Sequence, residues 1–185
     1  MKNDTSIHNH PEWLDANLTL RCLTPADRTA HEEMSKIIYD GLPDKEMLIP
    51  MTKEEYDDTY TDENEDVVYG VFDGENLIAT SSLLHDVRAY SVNAELSEVL
   101  KHKCIEIGES MVLTEYRGKG LMLKLNELIK AEAQRQGVKY MLATAHPSNT
   151  ASNTSLKRLG YKVIKEFIRA GKRRNLLVME IDQES

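Results

Sequence analysis

The stretch from Met111 to Gly137, MVLTEYRGKGLMLKLNELIKAEAQRQG, constrains the fold more than any other part of the chain. An apolar, strand-like entry passes through Arg117-Gly118-Lys119-Gly120 into a helical pattern in which Leu121, Leu125, Leu128 and Ile129 share one face. The periodicity predicts a helix over 118–136, with Gly137 where a C′ glycine ends it. A strand that hands over directly to a helix asks for a layered architecture of helices on a sheet. Glycines at 118 and 120 let backbone approach a bulky ligand. The helix they open presents unpaired N–H groups and the positive end of its dipole, and Arg117 and Lys119 add charge. The junction reads as an anion seat suited to a phosphate or pyrophosphate. It is not a P-loop, because no G-x-x-x-x-G-K-S/T is present, and it lacks the third glycine and downstream acid of a dinucleotide fingerprint.

The remaining patterns surround that junction with alternating strands and helices. Leu18 to Leu23 alternates as a strand, and Thr24-Pro25-Ala26-Asp27 opens a helix expected to reach about Tyr39 and stop near Gly41-Leu42-Pro43. Thr52 with Glu55 forms a second capping box, opening a short acidic helix to about Tyr60. Val67–Phe72 and Leu77–Leu84 read as a hairpin about Asp73-Gly74-Glu75-Asn76. Ala94 to His102 is expected as an extra helix before a strand over Cys104–Leu113. Tyr140–Ala145 is a buried strand, Thr150–Leu159 a helix closed by Gly160, and Tyr161–Arg169 with Asn175–Ile181 a hairpin around Ala170–Arg174. The order predicts an α/β (α+β) domain with a mixed sheet over 17–185, preceded by a loose leader over 1–16. His8 and His10 in that leader are read as tail residues rather than metal ligands. No metal is expected.

At 185 residues with 41% hydrophobic content the chain can bury one substantial core and is short for two. No apolar run reaches membrane-spanning length and the N-terminus lacks a signal-like apolar region, so a cytoplasmic protein with no membrane partner is expected. Cys22 and Cys104 stand far apart without CxxC spacing and are expected as reduced, partly buried thiols. The net charge of −8 hides a polarity. Asp40 to Asp66 holds eleven acids against Lys45 and Lys53, and Arg117 to Asn175 holds fourteen Lys/Arg against three glutamates. Net acidity and the absence of interleaved aromatics argue against nucleic acid as a partner, despite Lys172-Arg173-Arg174.

Two blocks give the chain a resemblance to the GNAT (Gcn5-related) N-acetyltransferases. The family's acetyl-CoA motif, roughly V-x-P-x-Y-R-G-x-G-x-G/A, stands here as Val112-Leu113-Thr114-Glu115-Tyr116-Arg117-Gly118-Lys119-Gly120-Leu121-Met122. A second block, N-x-x-A/S-x-x-x-Y-x-x-x-G-F/Y, appears as Asn149, Ser152, Leu156 and Gly160-Tyr161. The resemblance implies a GNAT-like acyl-CoA fold, a mostly antiparallel sheet splayed between the Cys104–Leu113 and Tyr140–Ala145 strands. It implies acetyl-CoA as co-substrate: backbone of Met111, Val112 and Leu113 along the pantetheine arm, and Arg117, Gly118, Lys119, Gly120, Leu121, Met122 and Leu123 around the pyrophosphate. Asn149 and Ser152 would reach the arm from the other side. Two departures stand out: Met122 replaces a small residue, and Leu156 replaces the tyrosine thought to protonate the leaving thiolate. Ser152, Ser155, Tyr161 or water would have to substitute.

Acetyl transfer to an amine requires a base, an oxyanion donor and a tolerable leaving group. The resemblance implies a backbone N–H of Val112 or Leu113 as that donor. Glu106, eleven residues before Arg117, has the spacing of the family's catalytic glutamate in its histone-modifying branch, with Glu109 and His146 as further base candidates. Strand alternation puts Glu106 on the face of Gly108 and Ser110, with Glu109 opposite. A partly buried carboxylate there would have a raised pKa. The acceptor is expected to be an amine, and the acidic run with Tyr39, Tyr56 and Tyr60 suits a cationic small molecule or peptide end. A homodimer is left open. The alternative reading is a non-catalytic acyl-CoA-binding or regulatory GNAT domain.

Overall fold

The computed structural model describes residues 10–61 and 65–181. Its strands are β1 (Leu18–Cys22), β2 (Val67–Asp73), β3 (Asn76–Leu84), β4 (Cys104–Val112), β5 (Tyr140–Ala145), β6 (Lys162–Arg169) and β7 (Lys172–Glu180). They form one seven-stranded sheet in the order β1-β2-β3-β4-β5-β7-β6. Every neighbouring pair is antiparallel except β4 and β5. The mixed, mostly antiparallel sheet of the expectation is therefore present. The helices α1 (Arg28–Gly41), α2 (Lys53–Thr59), α3 (Leu121–Arg135) and α4 (Thr150–Leu159) cover its two faces.

Helix starts follow local chemistry. Asp27 accepts from the Thr24 backbone N–H at 2.8 Å, and Thr52 and Glu55 exchange the two bonds of a capping box at 2.6 and 3.2 Å. On the back of the sheet, Leu125 and Ile129 of α3 pack with Ile105, Ile107, Met141 and Leu177 into the main core. On the front, Met34 of α1 and Tyr56 of α2 pack with Tyr60, Val68 and Met111. A third cluster, Tyr90 and Leu96 over Leu142, Leu176 and Val178, covers the front of β5 and β7.

Several expectations shift. Leu14 is only 5% exposed and belongs to the main core, so the packed body begins inside the stretch expected as leader. His8 lies outside the described residues, and His10 Nε2 donates to the Leu18 carbonyl at 3.1 Å. In place of the helix expected over Ala94–His102 stand two 3-10 turns, Ala94–Leu96 and Val99–Lys101, with a third before them at Arg88–Tyr90. Tyr90 and Leu96 fix that segment against the sheet. Helix α3 starts at Leu121 rather than Gly118, because Gly118 and Gly120 both take left-handed backbone, φ 80° and 78°. The last hairpin turns at Ala170-Gly171, both with positive φ, so β7 begins at Lys172 and not at Asn175. Neither cysteine forms a disulfide, and burial pushes the Cys104 thiol up to about 11. Among the described residues no helix is long and apolar enough to cross a membrane, and no three His, Cys, Asp or Glu are grouped to hold a metal.

Two features of β4 position the site. Its pairing with β5 runs only from Cys104↔Tyr140 to Glu106↔Leu142, after which the strands part. Against β3, the register slips between Thr80↔Met111 and Ser82↔Gly108, so Glu109 and Ser110 together oppose Ser81. Glu109 takes φ 44° at this bulge, and its carbonyl accepts from Thr80 Oγ1 at 2.7 Å in the buried interior. Thr80→Val keeps the shape and strands that carbonyl, with an expected loss of about 1–3 kcal/mol in urea unfolding. Thr80→Ser, which keeps the donor, should lose clearly less. Equal losses would mean the hydroxyl does not hold the bulge.

Candidate active site

Strand β4 reads CIEIGESMV, and the bulge decides where its polar side chains go. Up to Gly108 the strand alternates, with Ile105 and Ile107 turned to the back core. The extra residue then returns Glu109 to the front and sends Ser110 to the back. Ser110 Oγ and Ser81 Oγ both reach Asn126 Oδ1 of α3, at 2.9 and 2.8 Å. Glu109 meets α1 and α2 instead: Tyr56 O–H donates to its Oε2 at 3.3 Å, and His31 Nε2 lies 3.7 Å away. Simple alternation placed Glu109 opposite Glu106. The bulge puts both carboxylates on one face.

The two acids are then held differently. Glu106, 6% exposed, takes both nitrogens of the Arg169 fork, Nη1 to Oε1 at 2.6 Å and Nη2 to Oε2 at 3.1 Å. Arg169 also donates to Tyr90 O–H at 3.2 Å. Burial works against the Arg169 guanidinium, but Glu106 and Tyr90 outweigh it and hold the charge up. Glu109, 9% exposed, has no cation of this kind, and burial pushes it up to about 7. Burial also pushes its neighbour His31 down to about 4, with Nδ1 against Tyr60 O–H at 2.9 Å. Tyr56 and Tyr60 belong to the front core, so their faces are packed away rather than offered to a cationic acceptor. Tyr39 is likewise engaged, under Lys45 and Lys172.

Where β4 and β5 part, an edge of β4 opens. Leu113 N–H donates to the Ile78 carbonyl of β3 at 2.9 Å, so it does not face the opening. Val112, one residue back, turns its N–H and C=O the other way by antiparallel geometry. Arg117 Nε takes the Val112 carbonyl at 3.1 Å, which leaves the Val112 N–H on the open edge. The chain next makes a 3-10 turn over Thr114–Tyr116 and enters α3 through the two left-handed glycines. A Cβ at Gly118 or Gly120 would meet nothing within 4 Å, so backbone conformation demands glycine there and the space beside it is open. Lys124 N–H is the first to close on the helix, to Gly120 O at 3.1 Å, which leaves the N–H groups of Leu121, Met122 and Leu123 without a helical partner. Lys119 Nζ lies 3.0 Å from Asp15 Oδ2 at the rim.

A cleft of about 920 Å³ runs from this opening to the front. Glu106, Glu109 and Ser110 line it from β4, Met122 and Asn126 from α3, and Asn149, Ser152 and Leu156 from α4. Asn149 caps α4, its Oδ1 accepting from Ser152 N–H at 3.1 Å. Leu156, the residue that departs from the family pattern's tyrosine, lines the wall. Tyr161 and Ser155 are not part of the wall, and His146 Nδ1 accepts from Ser148 N–H at 3.2 Å in a turn. Of the acidic run, Asp57 pairs with Arg28 at 2.7 Å and Asp66 accepts from His85 N–H at 2.8 Å; residues 62–64 lie outside the described residues. The basic triplet is also in use: Lys172 Nζ donates to the Lys45 and Leu48 carbonyls at 2.6 and 2.9 Å, and Arg173 pairs with Glu166.

Sequence reading missed Arg169, Arg174 and His31. Once the hairpin turns at Ala170-Gly171, Arg174 falls in phase with the buried Leu176 and Val178, a signal that a five-residue loop had concealed.

A sheet opened between two parallel neighbours, with a glycine-bounded helix N-terminus beside the opening, defines an acyl-CoA transferase fold. The model of the Acetyltransferase (GNAT) family matches residues 32–161, and the chain belongs to that family. No curated protein matches the sequence. Among solved structures it is similar to the yncA protein of Salmonella typhimurium with acetyl-CoA, at 18% identity and TM-score 0.68 over 92% of this chain and 97% of that one. It is similar to an N-acetyltransferase from Staphylococcus aureus Mu50 at 17% identity and TM-score 0.66, over 89% and 98% of the two chains. Arabidopsis thaliana NAA60 in complex with a bisubstrate analogue matches at 17% identity and TM-score 0.65, over 90% and 99%. At these identities the likeness shows the fold.

The Glu109 shift carries a stability consequence. A carboxyl raised from an ordinary 4.5 to about 7 binds its proton more tightly when folded. Its contribution is present below the unfolded value and is lost as pH rises through about 7. Glu109→Gln, neutral throughout, should therefore match wild type near pH 4. It should exceed wild type by on the order of 2–3 kcal/mol near pH 8 in denaturant titration. A difference independent of pH would show that Glu109 is not held neutral by burial.

Proposed function

We propose that this chain is an acetyl-CoA-dependent N-acetyltransferase that passes an acetyl group directly to a primary amine of a small molecule or an exposed peptide. The observation that carries this reading lies on β4: the sheet opens beyond Glu106↔Leu142, where antiparallel geometry turns the Val112 N–H to the parted edge, and the bulge turns the up-shifted Glu109 into the cleft that begins there. The residues fit the co-substrate. Within Met111–Leu113, Val112 supplies the outward-facing edge for the pantetheine arm, since Leu113 N–H is bonded to Ile78 of β3. The unpaired N–H groups of Leu121–Leu123, the open turn at Gly118 and Gly120, and Arg117 and Lys119 suit the pyrophosphate. Asn149 and Ser152 face the arm from α4, and Met122 stands beside it on the wall.

Acetyl-CoA supplies the acetyl group as an activated thioester. The Val112 N–H is oriented to stabilise the negative charge that develops on the carbonyl oxygen. Glu109 takes the amine proton, directly or through water, because its poise near 7 suits a base at neutral pH. Glu106 is assigned to positioning, since Arg169 already engages both of its oxygens. With Leu156 at the tyrosine position, the hydroxyl of Ser152 and water are the proton sources on the cleft wall for the departing thiolate. A thiol with a pKa of about 8–9 tolerates leaving without a stronger acid.

Release of CoA thiol across a panel of primary amines tests the reading. Wild-type kcat/KM should fall below about pH 7 with a single proton. Glu109→Gln should lower it by about 10²–10⁴-fold and remove that limb. Tight acetyl-CoA binding with no release over the whole panel would favour the non-catalytic, acyl-CoA-binding alternative instead.

A further inference from the structure

Arg174 lines the cleft, yet nothing in the transfer chemistry uses it. It projects from β7 on the front face, in phase with Leu176 and Val178, and is 2% exposed. Its Nη1 donates to the carbonyl of Arg173 at 2.6 Å. Its Nη2 is buried and has no hydrogen-bond partner. Arg169 beside it is already committed to Glu106 and adds like charge, and Glu46 acts on it only at a distance. Burial pushes the guanidinium down against this weak compensation. Guanidinium groups nevertheless stay charged in proteins, so this cation is buried without its anion. The cofactor's phosphates do not fill the role, because the Gly118–Gly120 turn is not part of the wall that Arg174 shares. That wall is otherwise apolar where the α1–α2 connection crosses it, at Met47, Leu48, Ile49 and Met51.

We propose that Arg174 receives a carboxylate of the acceptor, which makes the substrate an amino-carboxylate: its amine turned to Glu109 and its acid group held by the free side of the Arg174 fork. This rests on the N-acetyltransferase reading above. One uncompensated positive charge matches a monoanion, and the planar fork matches the two oxygens of a carboxylate. The acceptor narrows from any cationic amine to one that carries an acid of its own. Glu109 and Arg174 then read opposite ends of one molecule, and an acceptor lacking the acid leaves the buried Nη2 unsatisfied.

The test uses the full chain with acetyl-CoA and the common L-amino acids, β-alanine and short dipeptides, each beside its carboxamide. Wild type should favour acids over amides by roughly 10–100-fold in kcat/KM, the range of one hydrogen-bonded charge. In Arg174→Met that ratio should fall to near one, and Arg174→Lys should retain part of it. Acetyl-CoA affinity reports whether each variant is folded, and the Lys variant carries the test if the Met variant is not. Amides used as well as acids by wild type, or a ratio unmoved in both variants, would overturn the proposal and leave the transferase reading standing. If no acceptor is turned over, calorimetric titration of the CoA-loaded protein with the same acids separates the two ideas. Binding that Arg174→Met abolishes supports the carboxylate seat while counting against the transferase, and absence of binding overturns the seat.

Discussion

The parting of β4 from β5 after the Glu106↔Leu142 pair is the constraint on which the rest of the molecule depends. An opening in the middle of a sheet leaves backbone donors and acceptors unpaired in a place where most of their neighbours are buried, and such groups are costly unless something takes them. The fold answers part of this itself. Arg117 reaches back to the Val112 carbonyl, and Ser81, Ser110 and Asn126 tie the back of the bulge to α3. The front is closed by distant chain: Lys172 at the tip of the last hairpin holds the Lys45 and Leu48 carbonyls, while Lys45 holds the C-terminal carbonyls of α1. The antiparallel register turns the Val112 N–H to the parted edge, and an edge of that kind is a slot for an added strand-like ligand.

The charges in the cleft follow from the same geometry. Glu106 and Glu109 are three residues apart on one strand, and without the extra residue they would face opposite sides of the sheet. With it they share a face and meet different partners. Arg169 engages both oxygens of Glu106, whereas burial pushes Glu109 up to about 7, with the Tyr56 hydrogen bond acting against that rise. Two chemically similar acids thereby acquire different surroundings, one clasped by a guanidinium and one buried among aromatic rings.

Much of this was legible in the sequence because local rules governed it. The capping boxes at Thr24 and Thr52, the hairpin about Gly74 and the α3 stripe of Leu121, Leu125 and Ile129 each depend on a few adjacent residues, and each stands where the pattern put it. The bulge was not legible. Glu109 carries left-handed backbone without being glycine, asparagine or aspartate, and its carbonyl accepts from the Thr80 hydroxyl of another strand. The Ala170-Gly171 turn was half legible: the glycine was a signal, but the three cations after it resembled a loop until strand phase placed Arg174 beside Leu176. Tyr56 and Tyr60 mislead for the opposite reason, since an acidic run around an aromatic says nothing about which way the ring turns.

The two glycines of Arg-Gly-Lys-Gly also acquire a sharper physical meaning. Close approach of a ligand would permit glycine at both positions, but φ near 80° demands it at both, whether or not anything is bound. The left-handed pair delays α3 to Leu121 and turns its first N–H groups outward beside the opened edge of β4. A helix begun at Gly118 would run further towards β4 and spend three more donors on its own ladder. The glycines therefore set where donors are left unspent, and the bulge eight residues before Arg117 sets where the proton is held. The anion seat and the base belong to one continuous strand-to-helix passage, but only the first is written in residue types; the second is written in a register slip against Ser81.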